Sequence, residues 1–368
     1  MVLFILVIVV LLCGCWDQRR LKHTKFMVTI GFDQYDEEQI EATTAIRLFQ
    51  GIVAGEGEAI NEIVSGRGFT VRDTLVSLNR KIADDPLPMK LKTILVSEDL
   101  AKKNIFELLD TFYRTPETSL EARVMVTKGK TSDYINLRKI EGTLVGEHLA
   151  DLVISAENDS MIPQQSAQAL QSYLYDEGKD IVLPIVKLEE GVIELGGLAL
   201  FHKKKMTGEI PSEDSEIYMA LTGKVERDLR FTEEVSIEEK KEKKKTHITI
   251  RVKKLDRKLK VKTNSPDKIE VNIDVKLKAD AVEFPPDHLD SKEIVESINK
   301  SLSKTFTERA KTVVQTLQEA NCDGFGIGRE LMAYHPKTWE KIDWKKTYPE
   351  IKIKPKIEIE VTGGGLTY

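Results

Sequence analysis

Hydrophobic and polar positions follow different rhythms in the two halves of the chain. In the first half, short apolar stretches alternate with segments whose apolar residues recur every three or four positions, the spacing of one helical face. One such segment opens at Thr70 and Asp73, which have the spacing of a capping box. Its apolar face consists of Val71, Leu75, Leu78 and Ile82. This alternation predicts a sheet covered by helices on one or both faces.

The same patterns predict individual elements in the first half. Strand signals occur at residues 26–33, 43–49, 91–97, 121–129, 181–188 and 192–201. Helices are expected at 68–82, 98–104 and 105–114, and across much of 134–180. Asn104 is expected to end the helix 98–104 in a left-handed conformation, which asparagine tolerates.

The second half alternates strictly, with apolar side chains on one face and charged side chains on the other over residues 247–252 and 267–281. This pattern indicates a half-exposed antiparallel sheet. Asp290 and Glu293 are expected to open a long helix that Asn321 and Gly324 end. Its apolar stripe comprises Ile294, Ile298, Leu302, Phe306, Ala310, Val313 and Leu317. The last strand signal, 351–361, contains Pro355, which indicates an edge strand or a bulge.

These elements predict a multi-domain α+β protein with mixed or antiparallel sheets, packed helices, and a long amphipathic helix on a C-terminal antiparallel sheet. A chain of 368 residues with 41% apolar residues is large enough for two or three domains. The expected division is an α/β region at 26–200, with one domain or two subdomains as open alternatives, and an α+β domain at 201–368. A signal peptide at 1–14 and a linker at 15–25 precede them.

The segment LLCGCWDQRR contains Cys13 and Cys15 directly after an apolar run. A redox or metal pair is disfavoured, because such sites usually have C-x-x-C spacing and further ligands nearby. A membrane-spanning helix is also disfavoured, because the run 2–12 is shorter than the roughly 20 residues that a bilayer requires. The run fits the apolar core of a secretory signal.

The candidate chemistry along the chain is sparse. The six histidines are scattered without an i, i+4 pair, no G-x-S-x-G occurs, and GFGIGRE after the long helix favours a helix–turn–helix junction over a dinucleotide loop. We therefore predict no catalytic, metal or cofactor-binding residues. A net charge of −5 argues against a nucleic-acid partner. A lipid-anchored solute-binding protein and a cell-wall enzyme remain alternatives; the first needs two similar lobes around a cleft.

Two surface features have open interpretations. The run EEKKEKKK at 238–245 and the strands after it are basic up to Lys262, which favours a hairpin that protects a sheet edge over a surface for headgroups or an acidic partner. The aromatic residues are expected to close the long helix onto the sheet, although an exposed partner patch is the alternative. They are Phe325, Tyr334, Trp339, Trp344 and Tyr348.

Several blocks resemble one family. They are the start CWDQRRL, the first strand ending in GFD, KTILVSEDLAKKNIFELLDTFYRTPE, LGGLALFHKKKMTGEI, and CDGFGIGRELMAYHPKTWEKI with the terminal YPEIKIKPKIEIEVTGGGL. In this order they resemble the Ger(x)C family, the lipoprotein C subunits of spore germinant receptors. The resemblance covers nearly the whole chain after the leader.

The resemblance implies a non-catalytic α+β protein tethered outside the spore inner membrane. Its partners would be the integral A subunit and the permease-like B subunit of a receptor that senses nutrients and starts germination. Membrane lipid would hold the anchor, and no small-molecule ligand is expected. Leu12–Cys15 resembles a bacterial lipobox, which implies that Cys15 receives a diacylglycerol and becomes the new N-terminus. The basic residues that follow, Arg19, Arg20, Lys22 and Lys25, would then lie near headgroups or in a solvated linker.

Changing Cys15 to Ala should leave the chain without lipid, because only that thiol has the position for alkylation. Two acyl chains hold a protein stably on a membrane and one does not, so the variant should leave the membrane fraction in a high-salt wash. Cys13→Ala is the matched control and should behave as the parent. Full membrane retention of Cys15→Ala would contradict the lipobox assignment.

Overall fold

The structure is a computed structural model that describes residues 25–48, 60–83, 86–173, 175–239, 242–265, 268–286 and 289–364. The predicted signal peptide and all but the last residue of the predicted linker lie outside these residues. The described chain forms two large sheets, one of eight strands and one of four, and a small two-stranded ribbon.

The eight-stranded sheet is built from the first half of the chain. Its strands are β1 (Phe26–Gln34), β2 (Ile40–Leu48), β3 (Ile60–Gly68), β4 (Thr93–Ser97), β5 (Arg123–Thr127), β8 (Val182–Glu189), β9 (Val192–His202) and β10 (Lys205–Pro211). They lie in the order β10-β9-β8-β5-β4-β1-β2-β3. The four central strands run parallel, and an antiparallel pair extends the sheet on each side. The ribbon consists of β6 (Lys139–Ile140) and β7 (Thr143–Leu144).

Helices cover both faces of this sheet. They are α1 (Val71–Asn79), α2 (Glu98–Ala101), α3 (Ile105–Tyr113), α4 (Thr131–Asn136), α5 (Val145–Asn158) and α6 (Ala167–Tyr173). Successive residues of β4 serve opposite faces: Ile94 packs in the core with α1 and α3, and Leu95 packs in the core with α4 and α5. The predicted helix-covered sheet is therefore confirmed, and its parallel strands are buried on both sides.

The prediction for Asn104 is wrong. Its backbone φ of −154° is extended, and its side chain accepts a hydrogen bond from the N–H of Phe106. Asn104 therefore caps the start of α3 instead of ending the helix before it, because an Asn side chain can satisfy one of the free N–H groups there. Strand β3 and the helix α7 (Ser212–Thr222) had no sequence prediction.

The four-stranded sheet contains β11 (Arg230–Glu239), β12 (Glu242–Ser265), β13 (Lys268–Glu283) and β14 (Lys352–Gly364) in that order. The first three strands are antiparallel as predicted, whereas β14 joins β13 in parallel. Strict alternation shows which face of a strand is buried but not the direction of its neighbour. Pro355 lies in the edge strand β14, as predicted.

The long helix α8 (Lys292–Glu319) packs on this sheet, and the α+β fold class is confirmed. All the predicted stripe except the half-buried Ile294 is buried. Ser291, one residue beyond the predicted opening at Asp290, caps the helix, and Asn321 turns the chain left-handed after it with a φ of 51°. Shorter helices follow: α9 (Ile327–Tyr334), α10 (Pro336–Trp339) and α11 (Trp344–Thr347), with 3₁₀ turns at Pro88–Lys90 and Tyr348–Glu350.

The long helix also closes the free edge of β14. An edge strand presents a row of unpaired N–H and C=O groups. Three helix side chains accept from these N–H groups: Thr307 from Ile357 (3.1 Å), Ser303 from Ile359 (2.9 Å) and Asn299 from Val361 (2.9 Å). Their spacing of four residues places all three on one face of the helix.

The predicted division at residue 200 falls inside β9, and the eight-stranded sheet continues to Pro211. The division into two domains stays a prediction, with the place of the boundary open. The two sheets differ in strand number and order, so the chain does not consist of two similar lobes.

Phe306→Ala should lower the free energy of unfolding by about 3–5 kcal/mol, as large truncations in a core do. Phe306 is fully buried between the helix and the sheet, and the centroid of its ring lies 4.6 Å from the centroid of the Phe231 ring. Urea unfolding measures the change. Lys304→Ala, at an exposed position of the same helix, is the control, and equal loss in both variants would contradict the packing.

Candidate functional site

The predicted lipidation site, Cys15, lies outside the described residues, and so do Arg19, Arg20 and Lys22. The described chain starts at Lys25, whose ammonium group binds Glu62 at 3.1 Å. Its carbonyl accepts from the N–H of Leu87 at 2.9 Å. The proposed anchor is thus ten residues from a backbone that is already fixed to the sheet.

No helix in the described part of the chain has the length and apolar character needed to cross a membrane.

A groove of about 740 Å³ lies at the carboxyl end of β1, between the start of α1 and helix α3. In sheets of this kind, ligands often bind at the carboxyl ends of parallel strands. The side chain of Phe69, which is 62% exposed, lines the groove together with Arg72, Lys103, Glu107 and Asp110. The side chains that line the groove carry charges of both signs, so no single charge selects a ligand. At the start of α1, the side chain of Thr70 already accepts a hydrogen bond from the N–H of Asp73.

The turn after the long helix joins the two sheets. The buried carboxylate of Asp323 accepts from the N–H groups of Ile327 (2.9 Å) and Gly328 (2.7 Å), and burial raises the pKa of Asp323 to about 7. The N–H of Asp323 in turn donates to the carboxylate of Asp180, before β8, at 3.0 Å. The predicted helix–turn–helix junction at GFGIGRE is confirmed, and it also bridges the first sheet to the second.

Backbone contact makes this junction tight. The N–H of Arg329 donates to the carbonyl of Gly178 at 3.0 Å. A Cβ on Gly178 would lie 2.5 Å from that same N atom, and one on Gly328 would lie 2.7 Å from the Cα of Gly178. Glycine at both positions lets the two segments approach closely without side chains between them.

The aromatic residues near the junction mostly pack. Phe325 stacks on Tyr218 with 5.6 Å between ring centroids, and the hydroxyl of Tyr348 donates to the carbonyl of Cys322 at 2.8 Å. Trp339 and Trp344 are half-buried, whereas Tyr334 is 73% exposed. The packing interpretation is therefore confirmed for Phe325 and Tyr348, and Tyr334 contributes to the surface.

A smaller cavity of about 150 Å³ borders the junction and is lined by Lys179 and Gln165. Burial, together with the charges of Lys224, Arg329 and Arg257, lowers the pKa of Lys179 to about 8. Carboxylates line the same cavity, among them Glu157, which forms an ion pair with Arg123 at 2.9 Å. Glu157 is buried, and its ion pair with Arg123 offsets the burial of its charge.

Among the described residues, no group of three or more His, Cys, Asp or Glu is placed to hold a metal ion. Cys322, the one cysteine of the described residues, is fully buried, and burial raises its pKa well above the ordinary value. A thiol in this state is a poor nucleophile.

The basic run lies in the hairpin of β11 and β12, where Glu239 pairs with Glu242 across the turn. The hairpin prediction is confirmed for the backbone, and Lys240 and Lys241 lie outside the described residues. Lys245 forms an ion pair with Glu234 at 2.6 Å. Strand β11 is an edge of the sheet, so lysines near it fit the protective role.

A half-buried charge cluster ties α8 to α7 and β11. The guanidinium of Arg309 binds the carboxylates of Asp214, at 2.8 Å, and Glu233, and the carbonyl of Glu213. Burial and the nearby Glu233 raise the pKa of Glu216 to about 7, against the opposing charge of Arg309. One guanidinium is thus shared by two carboxylates next to the long helix.

The geometry defines an α+β protein with two large sheets that are joined by direct backbone contacts at the junction. Its candidate features for recognition are exposed surfaces. Two family models match in sequence order: the spore germination protein N-terminal domain at residues 17–188, and the spore germination B3/GerAC-like C-terminal domain at 196–365. Together they cover almost the whole chain, which therefore belongs to the Ger(x)C family of spore germination proteins.

Individual relatives match over nearly their full length. Spore germination protein GerQC of Bacillus cereus is 24% identical over 98% of this chain and 98% of its own. Spore germination protein B3 of Bacillus subtilis (strain 168) is 23% identical over 96% and 95%. The crystal structure of the GerBC protein superimposes with a TM-score of 0.55 at 19% identity, covering 94% of this chain and 99% of that one. It supports the fold.

Arg309→Met should destabilise the protein by about 1–3 kcal/mol at pH 8, because removing the guanidinium leaves the half-buried carboxylates of Asp214 and Glu233 without their charged partner. Burial raises the folded-state pKa values of Glu216 and Glu233 above their unfolded values, so the protonated forms of these two acids stabilise the fold at low pH. That stability is lost as the pH rises from about 4.5 through about 7.

The loss in Arg309→Met should therefore be smaller at pH 5 than at pH 8 in urea unfolding. Lys311→Met is the matched control, because Lys311 binds Glu308 at 2.8 Å on the exposed side of the same helix. A loss in Arg309→Met that does not change with pH would contradict the role assigned to this cluster.

Proposed function

We propose that the chain is the lipid-anchored C subunit of a nutrient germinant receptor on the outer face of the spore inner membrane. In this role it is non-catalytic. It holds the integral membrane A and B subunits in an arrangement that can signal, and binds no nutrient itself. Family membership over both halves of the chain supports the place in germination.

The observation that carries the proposed mode of action is the locked junction between the sheets. The backbones of Gly178 and Gly328 are in contact, and at the same junction the N–H of Asp323 donates to the carboxylate of Asp180. A body joined in this way keeps surfaces on its two halves at a fixed spacing. Fixed spacing is what a subunit needs if it contacts two neighbours and biases their arrangement.

The anchor supplies the second part of the mechanism. A module on a short tether meets its neighbours at effective concentrations near the millimolar range, so weak contacts are sufficient for assembly. Contacts of this kind can be small and largely polar. The mixed charges around the large groove suit such contacts.

The proposal predicts that tagged full-length protein, extracted from spore membranes in mild detergent, copurifies with an A and a B subunit. Cys15→Ala should lower this recovery sharply, because the effective concentration is lost, and Cys13→Ala should not. Mass spectrometry of the copurified proteins provides the measurement.

The proposal also predicts that the purified chain shows no detectable heat of binding with amino acids or sugars in calorimetry. Saturable, stoichiometric binding of a nutrient would place the sensing step in this chain. That result, or purification without membrane subunits, would contradict the proposed function.

A further inference from the structure

The outer face of the four-stranded sheet is unevenly charged along its length. On β12, β13 and β14 the even-numbered residues between 254 and 262, 270 and 278, and 352 and 360 face away from the long helix, because their odd-numbered neighbours face the core. Where β14 begins, the strand register forms three rows. They are Lys262–Glu270–Lys352, Lys260–Asn272–Lys354 and Lys258–Asp274–Lys356.

These three rows, which we call the lysine face, hold six lysines against two carboxylates, a formal charge of +4. The next two rows along the sheet hold three lysines and three acids and are neutral. They are Asp256–Lys276–Glu358 and Lys254–Lys278–Glu360. Lys276 and Lys278 pair with their neighbours on β14 at 3.1 and 3.2 Å. The positive charge is therefore concentrated at one end of the sheet.

Two of the six lysines pair with acids on the same side of the sheet, Lys354 with Glu270 and Lys356 with Glu358, and the other four form no ion pair with a described residue. Among the described residues, no carboxylate lies within 4.0 Å of the ammonium groups of Lys258, Lys260, Lys262 or Lys352. Lys354 binds Glu270 at 2.6 Å, and this hydrogen bond, with the charges of Lys354, Lys352 and Lys262, lowers the pKa of Glu270. Lys258, Lys260 and Lys262 lie at alternate positions on the same side of β12, so an external anion would lower the repulsion between them.

The composition of the lysine face indicates what that anion is. It contains no arginine and no aromatic ring. Protein interfaces are enriched in both and depleted in lysine, and arginine is preferred for paired recognition of single phosphates or carboxylates. Lysines on a sheet face instead suit a layer of anionic headgroups, in which each ammonium interacts with the surface potential and not with one defined partner.

We propose that the lysine face lies against anionic lipid headgroups of the membrane to which the chain is tethered. The inference rests on the proposed anchor only for the source of the membrane. From Cys15 to Lys25 the chain can extend about 35 Å, which lets the body turn while keeping it at the surface. Stable membrane attachment commonly combines a lipid with a basic patch, and two attachments on two locked sheets would fix the orientation of the whole body.

The test uses the full-length lipidated chain reconstituted on vesicles of phosphatidylcholine alone, or of phosphatidylcholine with phosphatidylglycerol. Lysines are acylated with a water-soluble reagent and read by mass spectrometry. The six lysines of the lysine face should react about threefold or more slowly on the anionic vesicles, because headgroups restrict access and hold the amine protonated. The difference should disappear in about 1 M salt, where the screening length falls to about 3 Å.

Two triple variants separate the lysine face from general charge. One changes Lys258, Lys260 and Lys262 to Gln, and the other changes Lys254, Lys276 and Lys278 to Gln. Both remove three lysines from the same side of the same sheet. Protection of Lys352, Lys354 and Lys356 on anionic vesicles should be lost in the first variant and kept in the second. Unfolding curves for both confirm that the sheet is intact.

Equal acylation of the parent on the two kinds of vesicle would overturn the proposal, and so would equal loss of protection in the two variants. Protection found only in membranes that contain partner subunits would assign the face to an acidic protein and also overturn it. Flotation with neutral vesicles reports on the anchor separately. A chain that fails to float there but is protected on anionic vesicles would lack the anchor and still have the lysine face.

Discussion

The second half of the molecule depends on the long helix α8. Its apolar stripe forms one side of the core of the four-stranded sheet, and Phe306 lies at its centre. The same helix turns Asn299, Ser303 and Thr307 towards β14 and satisfies backbone groups that an edge strand would otherwise expose. One face of the helix thus buries the apolar core, and another covers the edge of β14. Because that edge is covered, it does not offer free backbone groups for pairing with a further strand.

The end of this helix also sets the relation between the two sheets. Asn321 reverses the chain in a left-handed conformation, and Asp323 then binds the backbone of the next helix and the segment before β8. Because Gly178 and Gly328 meet without side chains, the turn is held from both sides. The position of β14 and the position of the first sheet are therefore linked through one short segment.

Periodicity alone predicted the long helix, its buried stripe and the helix-covered first sheet, since each depends on spacing within one segment. Pairing between segments could not be predicted in this way. Alternation predicted the buried face of β14 but not its parallel partner. Asn104 lies between two predicted helices and fits both the end of the first and the start of the second, and only its backbone conformation decides between them. The candidate surfaces have the same limit: Lys262 and Lys352 are ninety positions apart and meet only through the register with β13. For Cys15 the motif remains the only basis.

This limit explains why the net charge of −5 says little about the surfaces of the protein. The strands of the second sheet carry acids and lysines in nearly equal number, and register decides where they cancel. At Lys276 and Lys278 the opposite charges meet and the surface is neutral. In the three rows that contain Lys258, Lys260 and Lys262, six lysines stand against two acids, and a positive field extends into solvent. At physiological salt the Debye length is about 8 Å, so only the nearest charges act on a neighbouring surface. For a tethered protein, the local charge of a surface therefore matters more than the net charge of the chain.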